Sequence, residues 1–246
     1  MSRYKITIEY DGSKYHGWQK QLSVETIQGK IERALYHFTQ EKIDIYGACR
    51  TDTGVHALSQ IAHFDLNKFY DDQQVINALN FYLNQELISI RYIKKVSSNF
   101  HARFSAIRKK YVYHIINRTS HPTLDKNKAW HVKSTLNVDH MNQTSRHLIG
   151  YNNLESFRTK GCQNGSPNKS IESIIIKSFE DKIYIEIIAK SFLYNQVRII
   201  VGTLVDFCIK RYSPNYIQHV IQAQDRRLAG TTAPGYGLYL YEIFYR

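Results

Sequence analysis

A run from Gly47 to Ala57, GACRTDTGVHA, sets one carboxylate, Asp52, two residues after Arg50 and two before Gly54. A carboxylate beside a fixed cation stays ionised, which suits a nucleophile or a general base. Gly54 permits a positive φ or a close backbone approach, as a loop needs if it is to present Asp52 to a bulky substrate. An aspartate that merely caps a turn is the plainer reading. A solvated turn, however, requires neither the arginine nor the glycine.

Little else in the chain has the spacing of a reactive centre. The three cysteines, Cys49, Cys162 and Cys208, form no CxxC pair and fit no zinc pattern. Their sparse, odd count suits a reducing compartment. His63 and Asp65 (HFD) have the residue types of metal ligands, but they lie in an alternating run where polar residues decorate the open side of a strand. Lys and Arg number 33 against 21 Asp and Glu, a formal net charge of +12, which predicts a polyanionic partner, nucleic acid first. The 19 tyrosines add flat faces for base stacking as well as strand and core packing. With 43% hydrophobic and 22% charged residues the chain reads as globular. MSRYKITIEYDG lacks a signal-length apolar run, and no stretch is apolar enough to span a bilayer, so a cytoplasmic location away from membranes is expected.

The elements that must position Asp52 follow from periodicity. Tyr4, Ile6, Ile8 and Tyr10 alternate with polar residues, predicting a half-buried strand that Asp11 and Gly12 end. Ile27, Ile31, Ala34, Leu35 and Phe38 predict a helix over Thr26–Thr39. A strand over Ile43–Ala48 leads into the Asp52 loop, and strands over Ile61–Leu66 and Ile88–Val96 flank a helix near Val75–Tyr82. The order resembles a split βαβ, or ferredoxin-like, unit. In the second half, strands are expected over Tyr111–Ile116 and Leu238–Phe244, and a hairpin joins Ser173–Ser178 to Ile183–Ala189 around Asp181 and Lys182. Helices are expected over Val138–Ile149, along an amphipathic stretch from Leu193 to Cys208, and from Pro214, which would open a short helix in its first turn. Arg158–Lys169, rich in Gly, Asn, Ser and Lys, reads as a surface loop. The expected class is α+β: two ferredoxin-like (RRM-like) halves, 1–103 and 104–246, forming a continuous, mostly antiparallel sheet with helices on one face and a cleft between the halves.

GACRTDTGVHA resembles the signature of the TruA family of tRNA pseudouridine synthases. Further blocks resemble that family in order: DGSKYHGWQKQ (Asp11–Gln21), ETIQGKIERAL (Glu25–Leu35), FHARFSA (Phe100–Ala106) and KKYVYHI (Lys109–Ile115). NQVRIIVGTL (Asn195–Leu204), DRRLAGTTAP (Asp225–Pro234) and GLYL (Gly237–Leu240) complete the set. The resemblance implies an isomerase that converts uridine to pseudouridine at positions 38, 39 and 40 of the tRNA anticodon stem-loop, as a homodimer. No cofactor or metal is expected, in keeping with a sequence that has neither a P-loop nor Rossmann glycines.

By the same resemblance Asp52 is the catalytic carboxylate. It attacks base or ribose, or promotes elimination to a glycal; the three routes stay open. Arg198 matches the arginine that pairs with the aspartate, and its apolar neighbours Val197, Ile199 and Ile200 make an unpartnered charge costly there. Tyr111 matches the active-site tyrosine, suited to stacking on the everted uracil and to handling the C5 proton. Leu238 matches the apolar residue against the base, and Arg50 the motif arginine that holds backbone or helps displace the target. Candidate phosphate contacts are Arg103, Arg108, Lys109, Lys110, Lys160 and Lys169. Cys49 stands where the family usually has glycine or another small residue, and Lys169 where arginine is often found, keeping charge but losing bidentate geometry. Two other readings compete: a non-catalytic RNA-binding protein of ferredoxin-like fold, and a hydrolase using His63 and Asp65 as metal ligands.

Overall fold

The computed structural model describes residues 1–159 and 166–246. Among these, ten strands and five α-helices, paired mostly antiparallel, place the chain in the α+β class expected from its periodicity. None of the helices is long and apolar enough to cross a membrane. The chain divides into two compact units, Met1–Ile107 with Tyr239–Arg246, and Arg108–Leu238.

The first unit is built on β1 (Ser2–Tyr10), which pairs antiparallel with both β3 (His56–Leu66) and β4 (Ile88–Val96). The short β2 (Tyr46–Gly47) pairs with β3 near His63, and the last strand, β10 (Leu238–Phe244), runs parallel to β3 at His56 and Ala57. Tyr4, Ile6, Ile8 and Tyr10 of β1 and Ala62, Phe64 and Leu66 of β3 are buried, as alternation demands. Helix α1 (Ile27–Thr39) is N-capped by the Thr26 hydroxyl, which accepts from Gly29 N–H, and buries Ile27, Ile31 and Leu35. Helix α2 (Asp72–Leu83) opens with a capping box between Asp71 and Gln74 and buries Val75, Leu79 and Leu83.

The predicted strand over Ile43–Ala48 shrinks to Tyr46–Gly47. Its backbone is claimed by α1 instead: Gln28 donates to the Ile45 carbonyl (3.2 Å), and Ile45 N–H donates to Glu32 (3.4 Å). Ile43 and Ile45 are buried, so their apolar spacing is real although most of the ladder is not.

The second unit carries β5 (Arg108–Asn117), β6 (Trp130–Val132), β7 (Gly150–Asn153), β8 (Asn168–Phe179) and β9 (Lys182–Ala189). Its strands are ordered β5-β9-β8-β7, antiparallel throughout, with β6 parallel to β5. The expected β8–β9 hairpin forms, but it turns at Glu180 and Asp181, one residue earlier than expected, because Lys182 of β9 already pairs with Phe179. Helix α3 (Val138–Arg146) ends one turn before the predicted Ile149. Helix α4 (Gln196–Ile209) is less amphipathic than its spacing predicts: Val197, Ile199, Ile200, Val201, Leu204, Val205 and Phe207 are buried, and so are Gln196 and Thr203. A helix enclosed on most sides has no broad polar face to show. The last helix, α5 (Tyr216–Ala223), begins two residues after Pro214. The expected surface loop Arg158–Lys169 is only partly seen: Asn168 and Lys169 belong to β8, while Lys160 and Cys162 lie outside the described residues.

Candidate active site

In the first unit the Asp52 loop is seated on the segment between β1 and α1. Trp18 N–H donates to the Thr51 carbonyl (3.1 Å), Gly54 N–H donates to the Tyr15 carbonyl (3.3 Å), and Val55 N–H closes back onto the Asp52 carbonyl (3.1 Å). Gly54 adopts φ +78°, the conformation its place in the motif predicts. Gly17, at φ +84°, lies so close beneath the loop that a Cβ there would stand 2.4 Å from the Thr51 carbonyl oxygen. The loop therefore has little room to shift. Thr51 is buried, Asp52 is half-buried and Arg50 is exposed.

Residues beyond the motif complete the seat. The Tyr10 and Thr51 hydroxyls share a hydrogen bond (2.8 Å), and the buried Gln60 amide donates to the Cys49 carbonyl (2.9 Å). His56 is buried against the Tyr239 ring (centroids 4.7 Å apart) and accepts from Gly12 N–H at Nδ1 (3.1 Å). The Asp11 carboxylate lies at the same distance from Nδ1 and caps its own turn by accepting from Ser13 N–H. With Gly12 donating, Nδ1 carries a lone pair, and Asp11 is a neighbour of the ring rather than its hydrogen-bond acceptor.

In the second unit Arg198 lies in the first turn of α4, because the helix starts at Gln196 and not at the expected Leu193. A cation there meets the positive end of the helix dipole, so its place has to be secured by acceptors. Arg198 Nε donates to the Ala233 carbonyl (2.7 Å) and a terminal nitrogen donates to Asn195 Oδ1 (2.8 Å). Ala233 N–H returns a bond to the Arg198 carbonyl (3.1 Å), making a reciprocal clamp. Asn195 itself, left-handed at φ 60°, donates to Thr159 (2.9 Å).

The extended segment from Gly230 to Pro234 is pinned along α4. Gly230 N–H donates to Thr203 (2.9 Å), Thr231 N–H donates to Asp206 (2.8 Å), and Arg226 donates to the Gly230 carbonyl (2.8 Å). Burial pulls the Arg226 pKa below its usual value, as a guanidinium among carbonyls and packed chain must experience. Gly202 makes the close approach feasible, since a Cβ there would fall 1.8 Å from the Thr231 carbonyl oxygen.

Tyr111 is buried on β5, edge-on to Phe192 (centroids 5.2 Å). Two residues along the same face, Tyr113 donates its hydroxyl to the Pro234 carbonyl (2.8 Å), and its pKa is pushed up by burial. Tyr113 and Arg198 thus hold neighbouring carbonyls, of Pro234 and Ala233, at the same end of the 230–234 segment. Leu238 is buried at the start of β10, after a 3-10 turn over Gly235–Gly237. Within the second unit the structure thus groups Arg198, Ala233, Pro234 and Tyr113, with Tyr111 and Leu238 on the elements that carry them. Tyr113 was passed over in the sequence because the second tyrosine of KKYVYHI reads as strand packing; the alternation that puts it beside Tyr111 was the available signal.

Several predicted phosphate contacts hold local partners. Arg108 pairs with Glu172 and Lys110 with Glu186, each at 2.6 Å and part-exposed, worth little individually. Arg103 is exposed with its guanidinium 5.7 Å from the Phe104 ring centroid, and Lys169 sits in the β7–β8 ladder opposite Asn152. His63 and Asp65 are otherwise engaged. Asp65 accepts two hydrogen bonds from Arg3 (2.8 and 2.7 Å), and His63 Nδ1 accepts from Ala102 N–H (3.2 Å). Among the described residues no group of three histidine, cysteine or carboxylate side chains is arranged to hold a metal.

Comparison with known proteins decides the family. The tRNA pseudouridine synthase family model matches residues 6–105 and 144–246, most of the chain. The chain belongs to the tRNA pseudouridine synthase family. Asp52, Arg198 and Leu238 fall inside the matched segments, and Tyr111 falls between them. A tRNA pseudouridine synthase A of Ehrlichia ruminantium (strain Gardel) is 47% identical over 245 residues, 99% of each chain. Those of Wolbachia pipientis wMel (46%, covering 99% of this chain and 100% of the relative) and Anaplasma marginale (strain Florida; 42%, 99% and 100%) align equally completely. As a pseudouridine synthase the protein is an isomerase.

Proposed function

We propose that this synthase isomerises uridine to pseudouridine at positions 38, 39 and 40 of the tRNA anticodon stem-loop, acting as a homodimer with Asp52 as its catalytic carboxylate. The observation that carries the role of Asp52 is its seat: a half-buried carboxylate on a loop whose backbone is hydrogen-bonded before and after it and underlain by Gly17. Chemistry at a fixed nucleoside needs a reacting group held in this way. The N-glycosidic bond breaks, the uracil turns, C5 bonds to C1′ of the ribose, the C5 proton leaves to solvent, and N1 takes up a proton in exchange. Nothing is oxidised or reduced, so the step balances without a co-reactant.

In this reading the target uridine leaves its stack, at a cost of about a few kcal/mol. Arg50, exposed beside the loop, helps displace it. Tyr111 stacks on the uracil and Leu238 packs against it. Arg198 keeps the carboxylate charged; its position at the positive end of α4 raises the local potential and suits an anionic partner. The basic residues Arg103, Arg108, Lys109, Lys110, Lys160 and Lys169 contact phosphates, and the net charge of +12 favours tRNA over neutral ligands.

The test is purified protein incubated with unmodified tRNA and no additive, followed by mapping of pseudouridine along the RNA. Modification confined to positions 38–40 is expected. Pseudouridine elsewhere would overturn the anticodon assignment, and binding without modification would favour the RNA-binding reading.

A further inference from the structure

Strand β3 buries its alternate residues Gln60, Ala62, Phe64 and Leu66, and only the first is polar. A fully buried amide on a core face is tolerated when its hydrogen bonds are met. Gln60 spends them around the catalytic loop. Its Nε2 donates to the Cys49 carbonyl (2.9 Å), and its Oε1 accepts from Ile61 N–H (3.2 Å) and lies 3.7 Å from the Cys49 sulfur. Nearby, the Tyr10 hydroxyl meets the Thr51 hydroxyl at 2.8 Å. Tyr10 reaches this spot because the β1–β3 register shifts between Ile8 and Tyr10, a bulge that re-aims a side chain beside the loop. Its ring leans on the buried Trp18 (centroids 6.3 Å apart).

Two side-chain links therefore reach the loop, Gln60 to Cys49 and Tyr10 to Thr51. They hold the two residues that flank Arg50, the second of which immediately precedes Asp52. Backbone contacts from Trp18 and Gly54 hold the loop from the other side. We propose that Tyr10 and Gln60 are positioning residues that set the angle at which the Asp52 loop presents its carboxylate, acting through Thr51 and Cys49 and touching no substrate themselves. The inference rests on Asp52 being the catalytic group. Both hydroxyls and the amide are enclosed, so the network adds no binding surface. Its loss moves the catalytic step and spares tRNA affinity.

The experiment measures tritium release from tRNA carrying 5-tritiated uridine, with tRNA binding and thermal melting recorded on the same preparations. Tyr10→Phe deletes one hydroxyl and keeps the ring. It is expected to lower kcat about ten- to hundredfold, the scale of a small misplacement of a reacting group, with KM and tRNA binding within about twofold of the parent. Thr51→Val should match it, Thr51→Ser should restore most turnover, and the double variant Tyr10→Phe/Thr51→Val should be no worse than either single. Should Tyr10→Phe fail to fold, the Thr51→Val and Thr51→Ser pair decides the matter by the same readout. Turnover within about twofold of the parent in a folded Tyr10→Phe or Thr51→Val protein overturns the inference, as does a loss of tRNA binding in step with kcat. Asp52→Asn run in parallel separates the two layers. If it is dead, a parent-like Tyr10→Phe sinks the positioning role alone; if it turns over normally, the assignment of Asp52 falls and the positioning role with it.

Discussion

The two units use one packing device in opposite directions. In each, a glycine admits a loop carbonyl to a distance no side chain would allow: Gly17 under Thr51, and Gly202 under Thr231. In the first unit the proposed reacting side chain, Asp52, belongs to the loop that is pinned. In the second, Arg198 belongs to the helix and itself does part of the pinning, through the Ala233 carbonyl. A carboxylate on a short stem is thus located by its backbone, and a guanidinium on a long stem by its own hydrogen bonds. The difference follows from side-chain entropy: aspartate has few rotamers to freeze, while arginine must spend its donors to stay put.

That contrast is broken most severely by Asp52→Asn. It keeps every backbone bond of the loop, and it is expected to remove turnover by about four orders of magnitude or more while tRNA binding survives in a gel-shift assay. Arg198→Lys comes next. Lysine keeps the charge but cannot donate to Ala233 and Asn195 in the same fork, so kcat should fall about a hundredfold. Parent-like turnover would show that charge alone suffices and that the clamp is incidental.

Gly17→Ala and Gly202→Ala sharpen the comparison. Gly17 sits at φ +84° as well as in contact, so the alanine should cost about 1–3 kcal/mol in urea unfolding. Because Gly17 supports the loop that carries Asp52, this variant should lose more kcat per unit of lost stability than Gly202→Ala. Equal ratios would refute the contrast between the two ways of holding a group.

The smallest effect is one of pH on stability. Burial, with His101 and Arg3 nearby, lowers the His63 pKa to about 4 from the ordinary 6.5. Between those values the unfolded chain takes up a proton that the native imidazole refuses, so stability declines as pH falls from about 6.5 to about 4. His63→Gln should flatten that part of a melting-temperature profile, because glutamine does not titrate.

Long, strongly patterned elements were legible in the sequence. β1, α1, β4 and β10 lie within a residue or two of their expected bounds because alternation or a helical stripe recurs over two or more turns or pairs. β6 and β7, with three and four residues, carry too little pattern to register. Ile43–Ala48 misled for another reason: side-chain spacing reports burial, and only tertiary structure tells that Gln28 and Glu32 replace a neighbouring strand. The site divides similarly. As proposed site residues, Asp52, Arg198, Tyr111 and Leu238 were marked by motifs. Gln60 and Tyr10 were not, since a glutamine and a tyrosine in a strand are ordinary until a bulge and a loop carbonyl are seen beside them.

The stretch Tyr239–Arg246 folds with the first unit, and its Tyr245 hydroxyl bonds the Ala102 carbonyl 143 positions away. The ring under His56 arrives in the same late segment. During translation the Asp52 loop must therefore wait, its neighbouring strand already made but an aromatic support still to be polymerised. A nascent chain arrested before Tyr239 leaves the edge of β3 beside His56 open, and competence comes only with the closing residues.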